Sequence, residues 1–226
     1  MRWFDRPEDD ALQLRHTPRP ASWNKSNHPD QVRLKAYLDD TEDLIADSRV
    51  DGLWALRLDI GAPATRDLLR DVADLDNYAQ PLADRVKDSG LVTVWCTKQH
   101  DDLEQSFLRI EAAREVPPPS DVLVVRTTAS SGSPQYKDQI KAAVAEVGML
   151  PDGPVRLEMS FVIGNRGWLG LWKPTIDALD PILGRTYPDN PYHPLDGRIT
   201  ELGMHLTVDP ALGYDVLIGI AATPVG

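Results

Sequence analysis

The run Asp74-Leu75-Asp76-Asn77 places two carboxylates two positions apart at the start of an expected helix. From there both can turn into a cleft and offer oxygen ligands to a hard divalent cation, Mg²⁺ or Mn²⁺. A plainer account is open for the same residues: Asp74 as the helix N-cap, Asp76 as favourable charge at the positive end of the dipole, and Asn77 facing solvent. A further acid, Asp196, falls in His193-Pro194-Leu195-Asp196-Gly197-Arg198-Ile199, just before an expected strand. It could complete such a site or simply open an Asp-Gly turn. Lys173, early in a short helix, could contact a phosphate or stay solvated.

Other candidate groups have ordinary explanations. Ser130-Ser131-Gly132-Ser133 could hold an anion at a helix start, but no Lys-Ser/Thr follows, and a helix cap accounts for it. His100-Asp101-Asp102 reads as a polar hairpin loop, and His16, His28 and His205 have no zinc-site spacing. Cys96, the single cysteine, follows Val94 and Trp95 in a strand-like run and reads as a buried thiol, with no disulfide available to it.

The elements that would position these residues follow from periodicity. A helix is expected from Asp30 to about Ser48, with Val32, Leu34, Tyr37, Leu38, Leu44 and Ile45 on its apolar face. Trp54, Leu56, Leu58 and Ile60 alternate as in a half-buried strand. Residues 74–88 read as a helix with Leu75, Tyr78, Leu82 and Val86 inward, closed by Gly90. Two strands follow, LVTVWCTK and SFLRIEA, joined by an acidic loop. Residues 1–30 read as an irregular arm that Trp3, Phe4 and Trp23 could pin to the body, and the Pro-rich 116–121 separates a first half (31–115) from a second (122–226).

The second half repeats the order. A leading strand, VLVVRTTA, precedes a helix opened by Ser133 and Pro134, with Ile140, Ala143, Val144 and Val147 inward. Val155 to Ile163 alternates strictly, a short helix starts near Trp172, and two strands close the chain. Aligning 75–84 on 168–177 matches Pro81 with Pro174 and Asp84 with Asp177. Each half therefore reads helix, strand, helix, strand, strand: an α/β (α+β) fold of two repeats, with a mixed sheet packed by helices.

Composition sets the limits. The 226 residues are 42% hydrophobic and 26% charged, within the globular range. The N-terminus reads as neither signal nor transit peptide, and no run approaches a membrane span, so a cytoplasmic protein is expected. The net charge of −11 opposes strong non-specific nucleic-acid binding unless the cations are concentrated locally.

The second half, through Tyr136-Lys137-Asp138-Gln139-Ile140 and Gly153-Pro154-Val155-Arg156-Leu157, resembles the RusA-type Holliday junction resolvases. The resemblance covers about 100 residues there and about 80 in the first half. It implies a small α/β fold, homodimerisation and Mg²⁺-dependent cutting of branched DNA. The family's site is an Asp-x-Asp-Asn at a helix start, a Lys on that helix and an acid pair before the next strand. Asp74, Asp76 and Asn77 match the first motif, with Gln80 in place of the Lys and no acid in LVTVWC. In the second half Lys173 matches the Lys and Asp196 the second of the pair, with Leu195 in place of the first. Gly167 and Leu169 stand where the Asp-x-Asp would be.

These residues imply a fused pseudo-dimer in which Asp74, Asp76 and Asp196 gather one Mg²⁺ between the halves, with Lys173 on the phosphate and Asn77 and Asp177 nearby. The alternative is a non-catalytic binding or regulatory protein on a degenerate resolvase scaffold, with a protein or nucleotide partner. Either could be a monomer or a homodimer.

Overall fold

The computed structural model describes residues 1–22, 24–48 and 50–225, and the chain forms a mixed α+β fold. The first half supplies strands β1 (Trp3–Phe4), β2 (Leu12–Gln13), β3 (Trp54–Ala62), β4 (Leu91–His100), β5 (Phe107–Ala112) and β6 (Glu115–Val116). The second supplies β7 (Leu123–Thr127), β8 (Val155–Ile163), β9 (Ile199–Val208) and β10 (Val216–Pro224). β1 and β6 form a short ribbon, and the other eight build one continuous sheet in the order β2-β5-β3-β4-β9-β8-β10-β7.

The register of this sheet has two-fold symmetry. β3 lies between β5, antiparallel, and β4, parallel; β8 lies in the same way between β10 and β9. Both parallel pairs carry a bulge at their first step. Trp54 faces Leu91 and Ala55 faces Thr93, which leaves Val92 unpaired there; Val155 faces Ile199 and Arg156 faces Glu201, leaving Thr200. The bulges equate Thr93 with Glu201, Trp95 with Gly203 and Thr97 with His205. Across the central antiparallel pair, Thr93 faces His205, Thr97 faces Glu201 and Trp95 faces Gly203. Trp95 and Gly203 are thus counterparts that face one another, so the pseudo-dyad passes between them. A Cβ on Gly203 would come within 2.9 Å of the Trp95 ring, so the glycine makes room for the indole.

The helices cover one face. They are α1 (Pro29–Ile45), α2 (Leu75–Val86), α3 (Pro134–Val144), α4 (Trp172–Asp177) and α5 (Asp180–Leu183). Leu58, Val94, Met159 and Leu202 of the sheet join Leu82 of α2, Ile140 of α3 and Trp172 of α4 in one hydrophobic core that spans both halves. Each fully buried aliphatic side chain there contributes about 1.5–3 kcal/mol. α2 rests on both β4 and β9, and therefore straddles the junction between the halves.

Residues 1–9 cross the opposite face almost strand by strand. Ser160 Oγ of β8 donates to the Arg2 carbonyl (2.6 Å), and Trp3 and Phe4 pack on His205 of β9. Arg57 of β3 donates to the Pro7 carbonyl (2.7 Å), and Arg109 of β5 to that of Asp9 (3.1 Å). Beneath this strap, buried Asp59 accepts from Arg57, from Arg109 and from Thr97 Oγ1.

Several expectations need correction. The 1–30 arm contains β1 and β2, and β2 pairs with β5 as β7 does with β10, so the leading strand belongs to both halves. β4 and β5 are not a hairpin: β3 lies between them, His100 ends β4 opposite Ala62, and residues 101–102 belong to a connection that skips over β3. Gly90 is not the cap of α2, which ends at Val86 with Lys87 as its C-cap; it lies against Gly52 and Trp54 instead. Val32 and Val147 are exposed, because the core is already filled on those flanks by Leu34, Tyr37 and Val144. Trp3 and Phe4 are buried as anchors, whereas Trp23 lies outside the described residues.

Candidate functional site

At the N-terminus of α2, Asp74 occupies the N-cap position, yet its side chain makes no capping hydrogen bond. It is held instead by Asn77, whose Nδ2 donates to Asp74 Oδ2 at 3.4 Å. Asn77 is thus half-buried and engaged, contrary to its solvent-facing expectation. Asp76 points inward and is 2% exposed. Pro81 further along α2 has no N–H for the Asn77 carbonyl, which accepts from the Ala21 N–H (2.6 Å) and so ties the arm to this helix.

From the second half, α4 brings Lys173 to the same place. Its Nζ lies 2.9 Å from Asp196 Oδ2, 3.3 Å from Asp177 Oδ1 and 3.9 Å from Asp76 Oδ2. Asp196 heads a single helical turn, Asp196–Arg198, immediately before β9. Gly197 makes this approach possible: a Cβ there would fall 2.4 Å from the Leu69 carbonyl and 3.8 Å from Asp74 Oδ1. The Gly197 carbonyl in turn accepts from Lys98 Nζ at 2.8 Å. Asp74, Asp76, Asp196, Lys173, Asn77 and Asp177, spread over a hundred residues of sequence, therefore meet at one place between the halves. An open cleft of about 530 Å³ lies over Asp74, Lys173, Asp177 and Asp196, walled by Lys137 and the 186–194 loop with Tyr192 and His193, with Asp76 buried beneath.

No protein-family model and no curated protein matches this chain.

Burial raises Asp76 to a pKa of about 6, with Asp196 and Asp74 adding repulsion and Lys173 opposing. Asp74 is raised for the same reasons, burial first and Asp196 next. Burial pulls Lys173 down, but Asp76 and Asp196 outweigh it and hold the ammonium well above its usual range. Lys98 is lowered, because its burial outweighs the attraction of Asp74. Asp76 Oδ2 is buried without a hydrogen-bond partner. Such an oxygen is costly to keep charged unless a cation or donor reaches it.

Among the described residues no group of three or more His, Cys, Asp or Glu side chains is arranged to hold a metal ion. A Mg²⁺ site built from one or two carboxylates, with phosphate and water for the rest, needs no such cage, and Asp74 and Asp76 offer hard oxygens of that kind. Three contributors escaped the sequence reading. Lys98 carried a usable signal, a lysine on the same strand face as Val94 and Cys96. Lys137 and the aromatic 186–194 loop carried none, since tertiary packing alone brings them here. Four of the seven lysines, Lys98, Lys137, Lys141 and Lys173, gather at or beside this cleft in an otherwise acidic protein.

Proposed function

We propose that the chain is a RusA-like, Mg²⁺-dependent endonuclease acting on branched DNA or another nucleic acid, as a tandem of two RusA-like halves with a composite active site. The observation that carries this reading is the meeting of Asp74 and Asp76 from one half with Lys173 and Asp196 from the other. Each half lacks part of the motif set, and the cleft supplies the missing part from its neighbour.

In this reading Asp74 and Asp76 hold the cation, Asp196 assists, Asn77 orients Asp74, and Asp177 steers Lys173. Lys173 and Lys137 neutralise phosphate charge, and Tyr192 offers a ring for an unstacked base. Mg²⁺, when bound, supplies electrostatic stabilisation of the phosphate and an acidified water. Lys137, Lys141 and Lys173 are already paired with Asp177, Asp180 and Asp196, so phosphate binding in this reading depends on the divalent cation to offset the cleft's carboxylates. The test is strand cleavage of a labelled four-way junction in Mg²⁺ or Mn²⁺. Activity is expected in wild type and a loss of at least 100-fold in Asp76→Asn and Lys173→Met; unchanged cutting in both would remove these residues from the mechanism.

One observation favours a second reading. The Lys173 ammonium already pairs with Asp196 and approaches Asp76, as a permanent internal cation would. A non-catalytic binding protein on a degenerate scaffold would use the same cleft to hold an anionic partner. Junction binding without cutting at any divalent concentration would select it.

A further inference from the structure

We infer that each chain carries one cation-dependent centre, with the pseudo-dyad mate of that centre silent, so that one chain severs one strand of its nucleic acid. This rests on the endonuclease reading and specifies its stoichiometry.

The dyad through Trp95 and Gly203 requires every position of the site to have a counterpart. Matching α2 to 168–179 reproduces the alternation of buried and half-buried positions from Tyr78 to Ala83 in Leu171 to Ile176. Gln80 then stands for Lys173, Leu169 for Asp76 and Gly167 for Asp74. The matching contacts are present on both sides of the axis. Lys173 Nζ lies 3.9 Å from Asp76 Oδ2, and Gln80 Nε2 donates to the Leu169 carbonyl at 3.3 Å. An ion pair on one side is a neutral hydrogen bond on the other.

The mate of Asp196 is itself an acid, Asp88, three residues before β4 as Asp196 is three before β9. It serves a different purpose there: it accepts from Trp54 Nε1 and the Gly90 N–H, both at 2.7 Å. With leucine and glycine in place of both helix carboxylates, the mate position has no oxygen pair for a hard cation. The first side has that pair, and Asp76 Oδ2, buried and without a hydrogen-bond partner, faces the Lys173 side of the cleft. The chemistry is hydrolysis of one phosphodiester. A water oxygen bonds to phosphorus, one P–O bond to a sugar oxygen breaks, and that oxygen leaves with a proton.

Two measurements on the full chain test this. Mn²⁺ is titrated calorimetrically into wild type and Asp76→Asn, with light scattering on the same samples, and a cruciform plasmid is then digested with the chain limiting. One Mn²⁺ per chain, lost in Asp76→Asn, and nicked circles as the product of a monomeric chain are expected. Two Mn²⁺ per chain, or linear plasmid formed by a monomer as fast as nicks, would overturn the single centre while leaving the endonuclease reading in place. Neither metal binding nor cutting would sink both together.

Discussion

Asp76 shows how the site acts on the fold that carries it. Its folded pKa of about 6 lies above the usual value of 3.8, so between those limits the folded state binds more protons than the unfolded one. Stability therefore falls as pH rises through this window, and an ionised Asp76 costs on the order of 3 kcal/mol above it. Asp76→Asn is expected to be more stable than wild type at pH 7 and to lose the decline between about pH 4 and 6, read by urea denaturation across that range. A variant no more stable at pH 7 would show that folding does not raise the pKa of Asp76. Gly203→Ala belongs to the same scale. A methyl 2.9 Å from the Trp95 ring should cost roughly 1–3 kcal/mol, and combining it with Trp95→Phe should recover part of that, as a double-mutant cycle would show.

At the scale of elements, the strap of residues 1–9 locks the face opposite the helices. Trp3, 3% exposed and edge-on to His205 at 5.3 Å, is its main anchor. Trp3→Ala should cost about 3–5 kcal/mol, measured by denaturant midpoint, and should speed amide exchange at residues 2–9. Loss of stability without faster exchange there would mean that Trp3 supports the sheet and not the strap. The strap was hidden in the sequence because its partners, Thr207, whose Oγ1 accepts from the Arg2 N–H at 2.9 Å, with Ser160, Arg57 and Arg109, lie far along the chain and obey no local period. The strands were legible for the opposite reason: in β3 and β8 alternate residues face the core, as Leu56, Leu58, Leu157 and Met159 show, but β3 is buried on both faces and not half-buried as expected, because the strap covers Arg57 and Asp59. The link from β4 to β5 misled, since short connections favour hairpins and nothing local reveals that β3 comes between. For the site, Asp74, Asp76, Lys173 and Asp196 could be singled out as chemistry-bearing types, but only the β4–β9 pairing decides that they share one cleft.

At the scale of the whole molecule, the continuous sheet and shared core make the halves interdependent. The fragment 122–226 would expose the β9 edge and the Leu202–Met204 surface that α2 covers, and it should self-associate or remain poorly packed. A monomeric fragment with native near-ultraviolet dichroism in sedimentation experiments would contradict this. The contact on the pseudo-dyad has a consequence for how the halves can pair. Two identical chains meeting on a true axis must place each residue there against its own copy. With tryptophan on both sides, two indoles would compete for a single gap, and with glycine on both sides the gap would stand empty. Two inequivalent halves, joined here in one polypeptide, can set large against small at that point. With Trp95 set against Gly203, neither half could reproduce this contact by pairing with a copy of itself.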